Sequence, residues 1–588
     1  MSQERLEALQ QALFTQQVQG FLVPRCDEYQ NEYVPAADER LAWLTRFDGS
    51  AGLAAVTTNR AALFVDGRYT IQAKQQIGDQ TIEQGELAPS AIADWLCDAL
   101  GEGDVLGYDP RLHTEPGLAP LKQRLGERGI ELRALDTNPI DHIWQDRPAT
   151  PCGPARPHPQ TFTGEGSDSK RQRIAHLLAD KKQDALWLAN PEVCAWLFNI
   201  RGSDIPHLPV ALCMGFLYTD GSATLYLAES ASGDALRQHL GTQVELVNDK
   251  AALFSAAERQ HVQRVWADPQ LTNCWTLQQL RSREIQVLLE RDPITGAKAQ
   301  KNSVELEGSR AAHIRDGAAL CEFLAELPDA VKREGFGELE AVQLMREKRE
   351  QREGFTDDSF DSISGYQGNG AIVHYRVTPQ SSLPMKAEGL YLIDSGGQYP
   401  DGTTDVTRTV ALGEFPTQAK EHFTRVLKGH IAIATLRFPK GTCGEQIDAF
   451  ARKSLWDAGL DYAHGTGHGV GSFLSVHEGP QRIGKAHTSV PLEAGMIVSN
   501  EPGFYLAGEY GIRIENLIFV KECAEYPGFL EFEELTLAPI EHRLIEAELL
   551  TDGERKWLNN YHQKVNDTLL PLVSDKTKAW LEQATQAI

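Results

Sequence analysis

Residues 391–410, YLIDSGGQYPDGTTDVTRTV, carry two aspartates on strand-like arms either side of a tight turn. Tyr399-Pro400-Asp401-Gly402 supplies proline and glycine where a β-turn needs a preset φ and a residue free to take positive φ. A turn centred there sets Asp394 opposite Thr407 and Asp405 opposite Gly396. Opposite residues of an antiparallel pair share a face, and so do residues two apart. Asp394 and Asp405 are therefore expected to point the same way as diagonal neighbours. Two like charges held that close call for a proton or a metal ion between them.

Further ligand types follow downstream. His464-Gly-Thr-Gly-His468-Gly-Val-Gly471 is followed by His477, and glycine at every second position speaks against a helix. The i,i+4 histidines are thus no helical zincin pair, and the backbone around them is expected to loop or extend in close contact with something else. Ser499-Asn-Glu501-Pro-Gly places a carboxylate just before a turn. In Gly511-Ile-Arg-Ile-Glu515, strand alternation puts Arg513 and Glu515 opposite Ile512 and Ile514. Two Asp, two Glu and one or more His make an oxygen-rich set that suits Mn²⁺, with Zn²⁺, Co²⁺ or Fe²⁺ as competitors. Two such ions bridged by carboxylates would lower the pKa of a shared water and polarise a carbonyl. Taken singly, a turn aspartate caps, a strand glutamate faces solvent and a glycine-loop histidine bonds to backbone. Order and spacing together give the set its weight.

The elements that must position these residues show three stretches. Leu6, Leu9 and Leu13 recur at helical spacing, and 20–24 reads as a buried strand. A glycine-rich turn at 47–52 precedes strands at 53–57 and 61–65, the latter ending in Asp66-Gly67-Arg68-Tyr69. This alternation predicts an α/β domain. Five prolines between Pro148 and Pro159 mark an interdomain connection. The pattern then restarts: helix at 170–182, strand at 184–189, helix at 193–200 and paired strands around 210–218 and 224–227. That echo predicts two similarly folded N-terminal domains. Asn302 with Glu305 fits a capping box opening a long helix, with Ala311, Ile314, Ala318 and Cys321 on its apolar face. Helices are expected at 423–436 and 444–458, and in the tail beyond Ile540, where Trp557 and Trp580 serve as packing anchors. The domains so drawn span 1–155, 156–300 and 301–588.

Composition narrows the partners. A balance of 57 basic against 82 acidic residues leaves a net charge of −25 on 588 residues, which speaks against nucleic acid and anionic membranes. Nine single cysteines without a CxxC pair argue against a disulfide framework or a thiolate zinc site. Neither a signal-peptide apolar region nor a run of membrane-spanning length is visible, so a cytoplasmic location is expected.

The order Asp394, Asp405, His468, Glu501, Glu515 resembles the pita-bread metallopeptidases, a family that includes methionine aminopeptidase, prolidase and aminopeptidase P. The strings IDSGGQYPDGTTDVTRT, HGTGHGVG, SNEPGFY and IRIEN, with GAIVHYRVTP at 370–379 and the tail 535–562, are similar to those of its long, three-domain Xaa-Pro aminopeptidases. The resemblance spans the whole chain. It implies two creatinase-like α/β domains followed by an α+β pita-bread catalytic domain, assembled as a homodimer. It further implies two Mn²⁺ ions, with Asp394 on one metal, Asp405 and Glu515 bridging both, and His468 and Glu501 completing the second. Glu501 is the implied general base, and His374, His464 and His477 the implied substrate and transition-state histidines. Arg68 is the implied N-terminal-domain arginine that reaches the site. The implied reaction removes the first residue of peptides with proline second, through a hydroxide activated by the two metals. A prolidase restricted to Xaa-Pro dipeptides is the nearest alternative, and a non-catalytic peptide-binding scaffold a remoter one.

Overall fold

A computed structural model describes residues 2–78 and 82–588. The chain forms two compact units, Met1–Gln160 with Glu165–Thr295, and Thr161–Gly164 with Gly296–Ile588. The first unit contains two six-stranded sheets of one design. In spatial order the first runs Ile82–Glu86, Ala61–Val65, Gly52–Thr57, Gly20–Pro24, Val105–Tyr108, Glu131–Ala134. The second runs Val244–Val247, Ala223–Leu227, Cys213–Tyr218, Ala185–Leu188, Arg264–Ala267, Gln286–Leu289. In each, three central strands pair antiparallel and the flanking pairs are parallel. The faint sequence echo is thus a duplicated topology.

Both faces of the first sheet are covered. Phe21 and Val23 pack with Leu6, Leu9 and Leu13 of the N-terminal helix, while Leu22 packs with Leu96, Leu118 and Leu125 on the other side. Burial on two faces is why these strands are nearly continuous apolar runs rather than alternating ones. The two sheets are stitched by an ion pair between Lys250 and Glu28. Two hydrogen bonds add to it, from Asn273 Nδ2 to Glu28 O (2.8 Å) and from Cys274 N to His113 O (2.8 Å).

The second unit opens with the long helix Ser303–Ala330. Asn302 Oδ1 accepts from the Val304 and Glu305 amides while the Glu305 carboxylate accepts from Asn302 N, as the capping box predicts. Helices Gln418–Ala434 and Gly444–Trp456 follow near their expected places, and Asp552–Leu569 and Asp575–Ala584 form the tail. Trp557 and Trp580 are partly buried against one core. The unit also contains a six-stranded sheet in the order Arg437–Pro439, Phe529–Glu534, Asn516–Glu522, Ile497–Asn500, Gly467–Gly469, Glu478–Ile483 and a three-stranded sheet of Ile363–Tyr366, Leu390–Ser395 and Val406–Ala411.

The aspartate hairpin has the predicted register, with Asp394 opposite Thr407 and Tyr399 opposite Gly402. The ladder is broken between, however, at Gly396 and at 404–405, so base and tip belong to different sheets. A Cβ on Gly396 would lie 1.9 Å from Thr404 O, an approach that only glycine allows. Ser359 replaces the missing rungs: its amide donates to Gly396 O (3.0 Å) and its hydroxyl to Thr404 O (2.8 Å). Asp405 therefore sits in a kink of the strand, free of the flat pleat.

Glu478 opens the strand paired with Gly467–Gly469, and its carboxylate is fully buried between the ammonium groups of Lys298 and Lys301. Burial alone would raise its pKa, but the two lysines outweigh burial and hold it below the ordinary 4.5. Removing one partner of a buried pair strands the other charges. Glu478→Ala is therefore expected to destabilise the second unit by about 3–5 kcal/mol, read as a lower urea midpoint. Because the folded pKa is depressed, the stabilisation is complete above the unfolded value and fades as the pH falls through the folded one. An unchanged midpoint at pH 7 would refute this role.

Candidate metal centre

Four segments converge on one buried point. Asp405 comes from the hairpin kink, His468 from the three-residue strand Gly467–Gly469, Glu501 from just beyond Ile497–Asn500, and Glu515 from the gap between Tyr510–Arg513 and Asn516–Glu522. Asp405, His468 and Glu515 each offer a ligand atom within 4.8 Å of the other two. His468 Nε2 lies 3.5 Å from Asp405 Oδ2 and 3.6 Å from Glu501 Oε1. Local contacts fix this arrangement. A Cβ on Gly467 would lie 1.9 Å from Ser499 O, so glycine lets the two strands close up. Ser499 Oγ accepts from His468 N (2.9 Å) and donates to Glu501 Oε1 (3.1 Å), tying two of the four groups together.

The protonation pattern of His468 bears directly on a cation. Its Nδ1 lies 2.9 Å from Gly469 O, which can only accept, so Nδ1 carries the hydrogen. In the neutral ring Nε2 would then aim a lone pair at two carboxylates, which is tolerable only with a proton or a metal ion between them. Without metal the proton wins: burial opposes the charged ring, but the hydrogen bond to Asp405 and the charge of Glu501 raise its pKa to about 9. Burial also raises Asp405, to about 6, helped by the charges of Asp394 and Glu501. Burial and the neighbouring Asp405, Glu501 and Asp394 push Glu515 well above the ordinary carboxylate range. Asp394 Oδ1 and Asp405 Oδ1 are buried with no hydrogen-bond partner. Orphaned anionic oxygens around a histidine nitrogen fit divalent cations.

Asp394 lies outside the three-residue cluster, and its Oδ2 pairs with Arg513 Nη2 at 2.6 Å. Arg513, Thr407 and Tyr505 were given no role from sequence, yet they organise the centre. Arg513 Nε donates to Thr407 Oγ1 (3.1 Å), which donates to Glu515 Oε2 (2.7 Å). Arg513 Nη1 donates to Tyr505 Oη (2.6 Å), and that oxygen lies 2.9 Å from His464 Nε2. His464 Nδ1 faces Gly465 O (2.7 Å) and so carries its hydrogen, leaving Nε2 to accept from the tyrosine in the neutral ring. The only hint in the sequence was that Arg513 shares a strand face with Glu515.

The remaining candidates are placed as follows. The His477 ring meets the His468 ring edge-on, centroids 4.4 Å apart. His374 is half-buried in a turn after Gln367–Ala371, and the preceding carbonyl, Val373 O, accepts from Arg513 Nη1 (3.4 Å). Arg68 belongs to the other unit, where it pairs with Asp66 (2.6 Å) and lies over the Tyr69 ring.

Four family models match the chain: Creatinase/Prolidase N-terminal domains at residues 5–138 and 146–305, Metallopeptidase family M24 at 307–522, and the C-terminal region of peptidase M24 at 528–588. A "Probable Xaa-Pro aminopeptidase P" of Aspergillus niger is 39% identical over 100% of this chain and 98% of its own. The chain belongs to metallopeptidase family M24. The crystal structure of an X-prolyl aminopeptidase from Caenorhabditis elegans, described as a cytosolic enzyme with a di-nuclear active site, superposes with a TM-score of 0.94 at 32% identity, covering both chains completely. An Xaa-Pro dipeptidase from Bacillus anthracis shares the fold at 21% identity and TM-score 0.53, with 99% of that chain matching 64% of this one. The two sheets of the first unit are thus creatinase-type N-terminal folds, and the second unit carries the M24 fold.

The hydrogen bond to Asp405 and the charge of Glu501 favour a proton on His468, burial and the neighbouring carboxylates push Glu515 the same way, and metal ligation requires such protons to leave. Calorimetric titration of the apo-protein with Mn²⁺ at pH 7, in buffers of different ionisation enthalpy, is expected to show at least one proton released per site. Affinity should tighten as the pH rises from about 6 to 8. Binding without proton release would contradict the buried-proton picture.

Proposed function

We propose that the chain is a dimetal Xaa-Pro aminopeptidase that removes the N-terminal residue of peptides with proline in second position. The observation that carries this reading is the buried cluster of Asp405, His468 and Glu515 with Glu501 beside it, in a chain that matches Xaa-Pro aminopeptidases end to end. Asp394, Asp405, His468, Glu501 and Glu515 are the ligands, Asp405 and Glu515 serving both ions, and Mn²⁺ is the expected metal ahead of Zn²⁺, Co²⁺ or Fe²⁺. When bound, the pair of cations lowers the pKa of a shared water and draws charge from the scissile carbonyl.

The protein's own groups do the rest. Glu501, held by the Ser499 hydroxyl, takes a proton from the attacking water and delivers it to the departing prolyl nitrogen. That nitrogen belongs to a tertiary amide and is a poor leaving group until protonated, so the delivery step matters. His477 beside His468, His464 on its tyrosine, and His374 hold the substrate and stabilise the charge that develops on its carbonyl oxygen. Arg68 contributes to substrate binding from the N-terminal region.

The same reading assigns domains to 1–155, 156–300 and 301–588, a homodimeric assembly and a cytoplasmic location. No helix among the described residues is long and apolar enough to cross a membrane. A prolidase specificity is less well supported, because the relatives matched over the whole chain are named Xaa-Pro or X-prolyl aminopeptidases.

A paired assay decides between the two specificities. An Xaa-Pro-Xaa tripeptide should be cleaved, at a rate abolished by chelator and restored by Mn²⁺, and an Xaa-Pro dipeptide spared. Cleavage confined to the dipeptide would favour prolidase, and chelator-resistant cleavage would sink the metal mechanism. Asp405→Asn should lose metal and activity together, because a neutral amide cannot compensate two cations. His477→Ala should keep its metal while kcat falls by about 10²-fold or more; full metal content and full rate in Asp405→Asn would overturn the ligand assignment.

A further inference from the structure

The loop that carries His374 is fastened at both ends to a single carboxylate. Glu338 begins the helix Glu338–Glu350 and is completely buried. Its Oε1 accepts from the Tyr366 amide at 2.7 Å, where the loop leaves the strand Ile363–Tyr366. Its Oε2 accepts from the Leu383 amide at 2.8 Å, where the loop returns. Between these points Asn369 Nδ2 donates to the same carboxylate (3.0 Å), and the Tyr375 hydroxyl reaches Oε2 (3.0 Å). Tyr375 directly follows His374. The helix start adds two backbone ties, Glu338 N to Leu383 O (3.2 Å) and Ser364 Oγ to Glu338 O (2.8 Å).

No lysine or arginine pairs with Glu338 among the described residues, and its charge is met by neutral donors alone. Two of these donors are backbone amides, one on each oxygen. Such a pattern can be satisfied only by a group that accepts at both ends. A glutamine, whichever way its amide is turned, points an NH₂ at the Tyr366 or the Leu383 N–H.

We infer that Glu338 is a positioning residue for His374, clasping the two ends of the 366–383 loop so that the histidine is held at the metal centre. The inference rests on the substrate-binding role proposed above for His374. On the other flank, Arg513 holds Val373 O, so the histidine stands between two fastenings. One of them leads to Asp394 and the other leads away from the metal centre to a helix that contributes no ligand. The chemistry therefore depends on a carboxylate that touches neither metal nor substrate.

The test compares Glu338→Gln, His374→Ala and the double variant in the metal-loaded enzyme. In Glu338→Gln, metal content should stay at the wild-type value while hydrogen exchange of the 366–383 amides accelerates. Its kcat should fall by about 10²-fold, as misplacement of a positioned group costs, and adding Glu338→Gln to His374→Ala should lower kcat little further. Wild-type kcat, unchanged exchange at 366–383, or a full multiplicative loss in the double variant would each overturn the inference. Full activity of His374→Ala would instead overturn the role of that histidine, and the clasp argument with it. Should Glu338→Gln not fold, Tyr375→Phe, which removes a single donor beside His374, carries the same test with a drop of about tenfold. A Tyr375→Phe enzyme of wild-type kcat would then count against the clasp.

Discussion

Concentrating carboxylates in a dry interior is the constraint on which this architecture turns. Asp394, Asp405 and Glu515 are each at least nine-tenths buried, and burial works against the charged forms of Asp405 and Glu515. The protein supplies one permanent cation to the group, Arg513, and spends it on Asp394. Asp405 faces the His468 ring, and Glu515 has the Thr407 hydroxyl on one oxygen. A fold that wanted only stability would replace such a set with apolar side chains. Here the backbone is instead broken repeatedly to bring the groups together: at the Gly396 kink, across the three-residue strand of His468, and in the interruption that carries Glu515.

A second buried arginine shows why the C-terminal region belongs with this centre. Arg408 follows Thr407, the residue opposite Asp394, and is almost completely enclosed. Its guanidinium donates to Glu515 O (2.6 Å), to Thr407 O (2.8 Å), to Asn516 Oδ1 (2.8 Å), to the carbonyls of Ala538 and Pro539 (2.9 and 3.0 Å), and to Tyr561 Oη (3.0 Å). One planar fork thus joins the backbone at Glu515 to the tail helix Asp552–Leu569. The tail fixes Glu515 from behind, at its carbonyl, while Thr407 fixes it in front, at its carboxylate.

What could be read in the sequence was whatever local chemistry determines. The Pro-Asp turn set the register that puts Asp394 opposite Thr407, Asn302 and Glu305 marked a helix start, and repeated apolar runs betrayed a duplicated sheet. The kink at Gly396 was not foreseen, because its cause is Ser359, some forty residues away in the chain. Arg513, Tyr505 and Glu338 were missed for a related reason. An arginine on an alternating strand looks like a solvated residue until the partners from distant segments are known. Pairings of this kind are set by tertiary contact, which leaves no trace in spacing.

Three buried carboxylates of the second unit show how compensation separates structural from chemical roles. Glu478 is neutralised by two lysines and fixes a chain segment against a strand. Glu338 has no cation, but amide, hydroxyl and carboxamide donors satisfy both of its oxygens. Asp405 has neither solution: one oxygen faces the His468 ring and the other has no partner at all. Equal burial with unequal satisfaction sets Asp405 apart from Glu478 and Glu338 as a carboxylate that the fold leaves short of partners. Such a deficit is costly in the free protein, where a proton on His468 meets part of it, and a divalent cation would meet the rest. Incomplete compensation, more than depth or acidity, makes Asp405 and its neighbours the candidate metal ligands of a chain that is acidic throughout.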